Sequence, residues 1–335
     1  MSIWIHYGED EKLAMLQHTA EAINVVEQAV EKDWWVSAIL MALSKTTWAD
    51  FLQFKGGTSL SKSWGLINRF SEDIDLAISR LFFGLPDDTP QQRTEIRRKS
   101  FHYIKNTLIK ELDQILTSSG ISDFEIELVT RNSSEVVTLV EVKYKSILTS
   151  VINYVLPVVK IEFSAMSLDD PYSEKEMTTL IHAQYAAIDN YISCVFKSVL
   201  PERTFLEKIF LLHEEYQKND PRTERMTRHL YDLEKMMDSP FAESALQNTA
   251  LYKTIVCHRQ KFSNIQDIDY QTHYPAQIQI CPPERLLNSW RADYENLCES
   301  FIYEKSKKTF DELIDRILNL TDRIREINLK ADEEK

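Results

Sequence analysis

The chain has 335 residues, a length for two domains or for one domain with a helical extension, and with 43% of them hydrophobic and 10% aromatic it has the material for a real core. A net charge of −13 excludes a protein that coats nucleic acid indiscriminately, because neutralising phosphates takes concentrated Lys and Arg. Two local basic clusters stand against that background: Arg93, Arg97, Arg98, Lys99 and Lys105, and then Arg222, Arg225 and Arg228.

Residues 10–46 read as helical, with Leu13, Leu16, Ala20, Ile23, Val26 and Ala29 at three- and four-residue steps. A second helix over 34–43 carries Trp35, Ile39 and Leu43 on one side, and Trp34 and Trp35 are expected to pack in a core. Residues 51–54 form a short apolar strand ending at Gly56-Gly57, and 59–67 form the helix that follows. Ile74, Leu76 and Ile78 alternate with Asp73, Asp75 and Ala77, as in a strand buried on one face. A helix over 92–118 closes near Gly120. Strand-like runs follow at 124–129, 136–144 and 155–163, and in the last of these Lys160 and Glu162 share a face.

Pro201 opens a helical region over 202–217 with Phe205, Ile209 and Leu212 inside. His213, on that apolar face, is expected to be a core residue. The rest is helical in pattern except for a looser stretch near 270–284, and 301–335 is charged and amphipathic. The predicted organisation is a mixed α/β part over 1–200 and a helical part over 201–335.

The four cysteines are scattered without zinc spacing, so reduced thiols are expected. Residues 1–6 are too short and too soon acidic for a signal peptide. The longest apolar run, 36–43, cannot span a bilayer. A soluble cytoplasmic protein with no membrane partner is expected.

The chemistry concentrates between residues 54 and 76. Only six glycines occur, where average usage of about 7% would give roughly 23. Two of the six are adjacent at Gly56-Gly57, a placement that needs positive φ or close approach of something bulky. A plain strand-to-helix turn would explain Gly56-Gly57-Thr58-Ser59 by itself, and a solvated sheet face would explain Asp73 and Asp75 by themselves. Together they suit a metal–nucleotide complex. Helix N-terminal amides and the Ser59 hydroxyl would face phosphate. Two carboxylates two residues apart on a strand would share a divalent cation, with Mg²⁺ the expected cofactor. Glu162, acidic and on an apolar strand, is the candidate third carboxylate of a two-metal site. Later in the chain, Arg225, Arg228, His229 and Asp232 fall at steps of three, one and three, the spacing of one helix face. Lys208 lies at the border of its helix's apolar stripe, where a long side chain can reach past the core.

Phe54-Lys55-Gly56-Gly57-Thr58-Ser59-Leu60-Ser61-Lys62, with Gly65-Leu66-Ile67 and Arg69-Phe70-Ser71-Glu72-Asp73-Ile74-Asp75-Leu76, resembles the AbiEii/AbiGii-type nucleotidyltransferase toxins of bacterial toxin–antitoxin and abortive-infection systems. The resemblance continues at Arg203-Thr204-Phe205-Leu206-Glu207-Lys208 and at Arg228-His229-Leu230-Tyr231-Asp232-Leu233, and covers roughly residues 30–235. It implies an α+β, minimal nucleotidyltransferase fold related to DNA polymerase β, with a mixed sheet and a C-terminal helical domain contributing Lys208 and Asp232 to the site. It also implies that Gly57 and Ser59 contact the β/γ-phosphates, that Asp73 and Asp75 bind Mg²⁺, that Lys208 grips the triphosphate and that Asp232 is the essential late aspartate. Many members carry Lys-Asp where this chain has Arg228-His229. The implied activity is NMP transfer from an NTP to RNA, with the 3′ end of tRNA as acceptor and a cognate antitoxin as partner. Arg225, Arg228 and His229 are the candidate acceptor-binding residues. A protein hydroxyl as acceptor, or NTP binding without turnover, are the alternatives.

Overall fold

The computed structural model describes residues 7–85, 89–149, 155–168, 171–185, 192–262, 265 and 267–329. The segment read for a signal peptide, 1–6, and the chain end, 330–335, lie outside the described residues. The chain forms two compact units. The first comprises 1–64 and 70–199, the second 65–69 and 200–335. No helix among the described residues is long and apolar enough to cross a membrane.

The first unit is built on a seven-stranded mixed sheet: β1 (Leu52–Lys55), β2 (Ile74–Ile78), β3 (Phe124–Leu128), β4 (Val137–Tyr144), β5 (Val158–Ser164), β6 (Tyr172–Met177) and β7 (Cys194–Val199), in spatial order β3-β4-β5-β2-β1-β7-β6. β1–β7 and β2–β5 are parallel and the remaining pairs antiparallel. Ile74, Leu76, Ile161, Phe163, Val140 and Val142 are all buried, as strand alternation sets one face of β2, β5 and β4 toward the core.

Two helices precede the sheet. α1 (Glu9–Ile23) ends at Asn24, whose left-handed backbone (φ 58°) stops the helix. α2 spans Glu27–Leu43. The helical run expected over 10–46 is therefore two helices, and the expected 34–43 helix is the second half of α2. Every residue of α2 from Gln28 to Leu43 is buried, and Trp35 stacks on Tyr144 with ring centroids 4.8 Å apart. A helix hydrophobic nearly all round belongs inside, and this one does.

α3 (Gly56–Lys62) begins at the glycine pair itself and ends before Ser63, earlier at both ends than the expected 59–67. Gly65 has φ +61° and opens the 65–69 segment that belongs to the second unit, so the helix cannot run on. The expected 92–118 helix is α4 (Pro90–Tyr103) and α5 (Ile109–Ser118), joined by a π-helical stretch, Ile104–Leu108. Ile104, Leu108, Leu112 and Leu116 are buried at four-residue steps. Such steps overshoot a 3.6-residue turn, and the wider π turn keeps them on one face. β6, β7 and the short α6 (Leu180–Gln184) have no counterpart among the expected elements.

The second unit is helical: α7 (Pro201–Gln217), α8 (Thr227–Met236), α9 (Pro240–Gln247), α10 (Thr249–Phe262), α11 (Leu287–Ser300) and α12 (Phe310–Arg325), with 3₁₀ turns in the looser stretch between α10 and α11. Phe310, Leu313, Ile317 and Leu320 are buried along α12, and a Thr309–Glu312 capping box starts it. Residues 301–309 are outside any helix. His213 is a core residue: its Nδ1 accepts from the Gln279 amide at 3.1 Å and its Nε2 lies 2.9 Å from the Thr272 hydroxyl.

Candidate functional site

Gly56 is the pivot of the first unit's candidate site. Its φ is +77°, and a Cβ added there would stand 2.1 Å from Asp75 Oδ2. Both the backbone conformation and the space admit only glycine. The turn therefore lays the Asp75 carboxylate directly against the start of α3. Register brings in the third carboxylate: Asp75 is paired with Lys55 on β1 and with Glu162 on β5. Cross-strand partners put their side chains on one face, so Asp75 and Glu162 are neighbours. Asp73, two residues before Asp75, comes just ahead of β2. All three carboxylates are half-buried.

The hydroxyls of α3 divide between two roles. Thr58 donates to the Asp73 carbonyl at 2.5 Å and lies 2.9 Å from the Ser71 hydroxyl, so it fastens α3 to the loop that carries Asp73. Ser59 is 2% exposed, and its hydroxyl has no hydrogen-bond partner among the described residues. A buried hydroxyl is normally satisfied, so Ser59 has the character of a ligand contact and Thr58 that of a tie. Gly57 is the second residue of α3.

Carboxylate oxygens, with a hydroxyl without a hydrogen-bond partner on the adjoining helix, are the donor types of a hard divalent cation carrying phosphate, so the residues fit Mg²⁺ in kind. Among the described residues no group of three or more His, Cys, Asp or Glu side chains is already gathered as a metal cluster.

A frame of buried charge surrounds this site. Glu31, Lys32 and Asp33 are consecutive on α2, and all are buried. Glu31 accepts from the Ser146 hydroxyl (2.7 Å) and the Ile147 amide (2.8 Å), and burial raises its pKa above the usual carboxylate value. Lys32 pairs with Glu72 at 2.6 Å, next to Asp73. Asp33 pairs with Lys62, the last residue of α3, and accepts from the Leu180 amide at 2.7 Å. Adjacent residues of one helix thus grip both motif segments. The visible sign in the sequence is three charges running inside an apolar helix, which demands partners.

The second unit gathers Lys208, His229 and Asp232, joined by Arg69. Asp232 is fully buried and accepts two hydrogen bonds from the Arg69 guanidinium (2.7 and 2.8 Å), with the Lys208 ammonium 2.8 Å away. Burial by itself would raise the Asp232 carboxyl; Arg69 and Lys208 outweigh it and hold the group below the usual carboxylate range. Burial lowers the Lys208 ammonium, and Arg69 and Arg228 push the same way against Asp232, so its pKa falls. The His229 imidazole is lowered well below its ordinary value, by burial first and then by Lys208 and Arg228. Lys208 therefore donates to a neutral His229 Nδ1 at 3.3 Å. One carboxylate, Asp232, serves two buried cations.

The expected helix face of Arg225, Arg228, His229 and Asp232 is corrected at its first member. Arg225 precedes α8 with φ 58°, is exposed, donates its amide to Asp293 at 2.6 Å and sets its guanidinium 6.0 Å from the Phe301 ring. The Asp293 carboxylate takes the Arg225 and Thr227 amides, and that fixes the helix start after Arg225. Arg228 and His229 are on α8, half-buried. Elsewhere in this unit a cavity of about 290 Å³, lined by Tyr252, Cys257, Tyr270, His273 and Tyr274 among others, contains none of these residues.

A family model described as nucleotidyl transferase AbiEii toxin, type IV TA system, matches residues 38–316. Among solved structures the chain is similar to MenT4, a nucleotidyltransferase toxin from Mycobacterium tuberculosis H37Rv, with a TM-score of 0.56, 16% identity, and coverage of 95% of this chain and 91% of that one. That likeness supports the α+β fold. No curated protein sequence matches.

Proposed function

We propose, for a chain that belongs to the AbiEii nucleotidyltransferase toxin family of type IV toxin–antitoxin systems, that it transfers NMP from an NTP to the 3′ hydroxyl of an RNA acceptor, the end of tRNA, and so arrests growth. The observation that carries this reading is the Asp75 carboxylate seated on Gly56 with Glu162 in register beside it. That arrangement joins a glycine turn suited to phosphate to a carboxylate pair suited to its metal. Asp73, Asp75 and Glu162 are the residues that would hold Mg²⁺, which when bound supplies Lewis-acid neutralisation of phosphate charge.

The chain's own residues do the rest by binding and orientation. The Ser59 hydroxyl and the amides at Gly56 and Gly57 hold the end of the triphosphate. Lys208 is assigned to nucleotide phosphate on its chemistry: a buried ammonium that shares the Asp232 carboxylate with Arg69 gains from a phosphate oxygen as a further partner. Asp232 aims it. Glu162 accepts the proton of the acceptor hydroxyl as that oxygen forms a bond to the α-phosphorus, and pyrophosphate leaves as the P–O bond breaks. Arg228 and His229 are assigned to acceptor contact. A cytoplasmic location and a cognate antitoxin go with the same reading.

A protein hydroxyl as acceptor is the second reading, favoured by the net charge of −13. The test is incubation of the purified protein with total tRNA, Mg²⁺ and each α-³²P-labelled NTP in turn, beside Asp75→Ala. Label on tRNA with wild type and none with the variant is the expected result. Label on protein alone would transfer the assignment to the second reading, and no label or pyrophosphate would leave a binding module.

A further inference from the structure

The two basic clusters of the sequence part company in the structure. In the second unit Arg222 is taken up by Glu215 at 2.7 Å, and Arg225 lies over Phe301. In the first unit, residues 90–118 hold six Lys or Arg against Glu95, Glu111 and Asp113, in a chain whose net charge is −13. Part of that charge is spent locally: Lys99 pairs with Glu95 at 3.0 Å, and Arg97 donates to the Ser134 carbonyl at 3.2 Å. Arg98, Lys105 and Lys110 are exposed and make no ion pair among the described residues.

Helix geometry collects these three. Phe101, Ile104 and Leu108 are buried on one side, and the exposed side is Arg98, His102, Lys105, Asn106 and Lys110. The π turn at 104–108 keeps the inward face in phase and so carries the cationic face on from α4 into α5 as one stripe. Every exposed side chain on it is polar. Protein partners are anchored by aromatic or apolar groups in a desolvated centre, which this stripe lacks. Evenly exposed cations without apolar anchors are the footprint of a phosphate backbone.

We infer that the exposed face of α4 and α5, through Arg98, Lys105 and Lys110, binds the phosphate backbone of the RNA acceptor away from the end that reacts. The inference rests on the RNA reading above. Tyr103 of α4 packs on Trp48, Phe82 and Phe83, at ring-centroid distances of 4.7, 5.0 and 6.4 Å in turn. Those rings precede β1 and follow β2, whereas Gly56 and Asp73 lie at the other ends of both strands. The stripe therefore serves an acceptor long enough to reach past the sheet, and selects structured RNA over short oligonucleotides.

The test compares Arg98→Glu/Lys105→Glu/Lys110→Glu with wild type and with Lys145→Glu, an exposed lysine off the stripe. Filter binding of total tRNA without NTP, across a salt series, is measured beside transfer kinetics on total tRNA and on a short single-stranded RNA. The triple variant should bind tRNA about tenfold or more weakly, with a log–log salt slope shallower by roughly 2–3, as loss of three phosphate contacts requires. KM for tRNA should rise while kcat, the KM for NTP and turnover of the short RNA stay as in wild type. Unchanged tRNA affinity and salt slope would overturn the inference. So would an equal loss of binding to polyglutamate, which would mark a site for acidic protein. If wild type binds tRNA through the stripe yet labels none, the RNA reading fails and the surface stands.

Discussion

Two buried polar assemblies in this chain are built on opposite principles. On α2, Lys32 meets Glu72 and Asp33 meets Lys62, one charge for one charge. In the second unit a single carboxylate, Asp232, meets both Arg69 and Lys208. The balanced frame has nothing left to offer a ligand and holds segments in place. The shared one holds a cation whose charge burial disfavours, and it is the assembly to which the proposed function assigns nucleotide phosphate.

The sharpest way to break the comparison is Asp232→Asn. Removing the carboxylate leaves two buried cations facing each other, and a loss of about 3–5 kcal/mol in urea unfolding is expected, with transfer abolished. If stability hardly changes, the assembly is not held by charge. Lys32→Met and Lys208→Met then separate the two principles. Lys32→Met removes a buried ion-pair partner of Glu72 and should cost about 3 kcal/mol, with NTP affinity reduced only as far as the folded fraction falls. Lys208→Met leaves the bidentate Arg69–Asp232 pair intact and should cost less than 1.5 kcal/mol, yet raise the KM for NTP at least about tenfold. Equal effects on both readouts would erase the distinction.

Gly56→Ala tests the first unit by steric means. Positive φ and the overlap with Asp75 should cost about 1–3 kcal/mol, and activity should fall by orders of magnitude because the methyl displaces the carboxylate. An active Gly56→Ala protein would remove Gly56 from the site.

An effect confined to stability, with none on transfer, concerns a third buried assembly, where His213 stands beside Glu214 and His273. Burial, then His273, lowers His213 to about 4. The folded state thus prefers the neutral ring while the unfolded chain takes a proton below about 6.5. The stability contributed is full above that value and is lost as pH falls from about 6.5 to about 4, by about 3 kcal/mol. His213→Gln should flatten the pH dependence of unfolding in that window.

The part of the fold that positions the first carboxylates was legible because it is local. Gly56-Gly57 between a strand and a helix, and the alternation around Asp73 and Asp75, are short-range signals, and β1, β2, β4 and β5 lie where periodicity puts them. The break at Asn24 was hidden because Ile23 and Val25 continue the apolar pattern across it. β6 was hidden because its Glu174-Lys175-Glu176 run has the polarity of a loop and is strand only by pairing with β7. Long-range pairing was out of reach: Arg69 and Asp232 are 163 residues apart. The resemblance, supported by helix spacing, named Lys208 and Asp232 as candidates but carried no sign that Arg69 would join them, or that Arg225 would stop short of the helix.

The allocation of residues 65–69 has a practical side. A gene fragment encoding 200–335 would carry Asp232 and Lys208 without Arg69, and a fragment ending at 199 would carry Arg69 with its carboxylate missing. Neither half is a self-sufficient coding unit, so split-protein and truncation experiments cut at residue 200 would report an electrostatic defect rather than the properties of a domain. A permuted gene that appends 65–69 to the helical segment would restore the missing guanidinium.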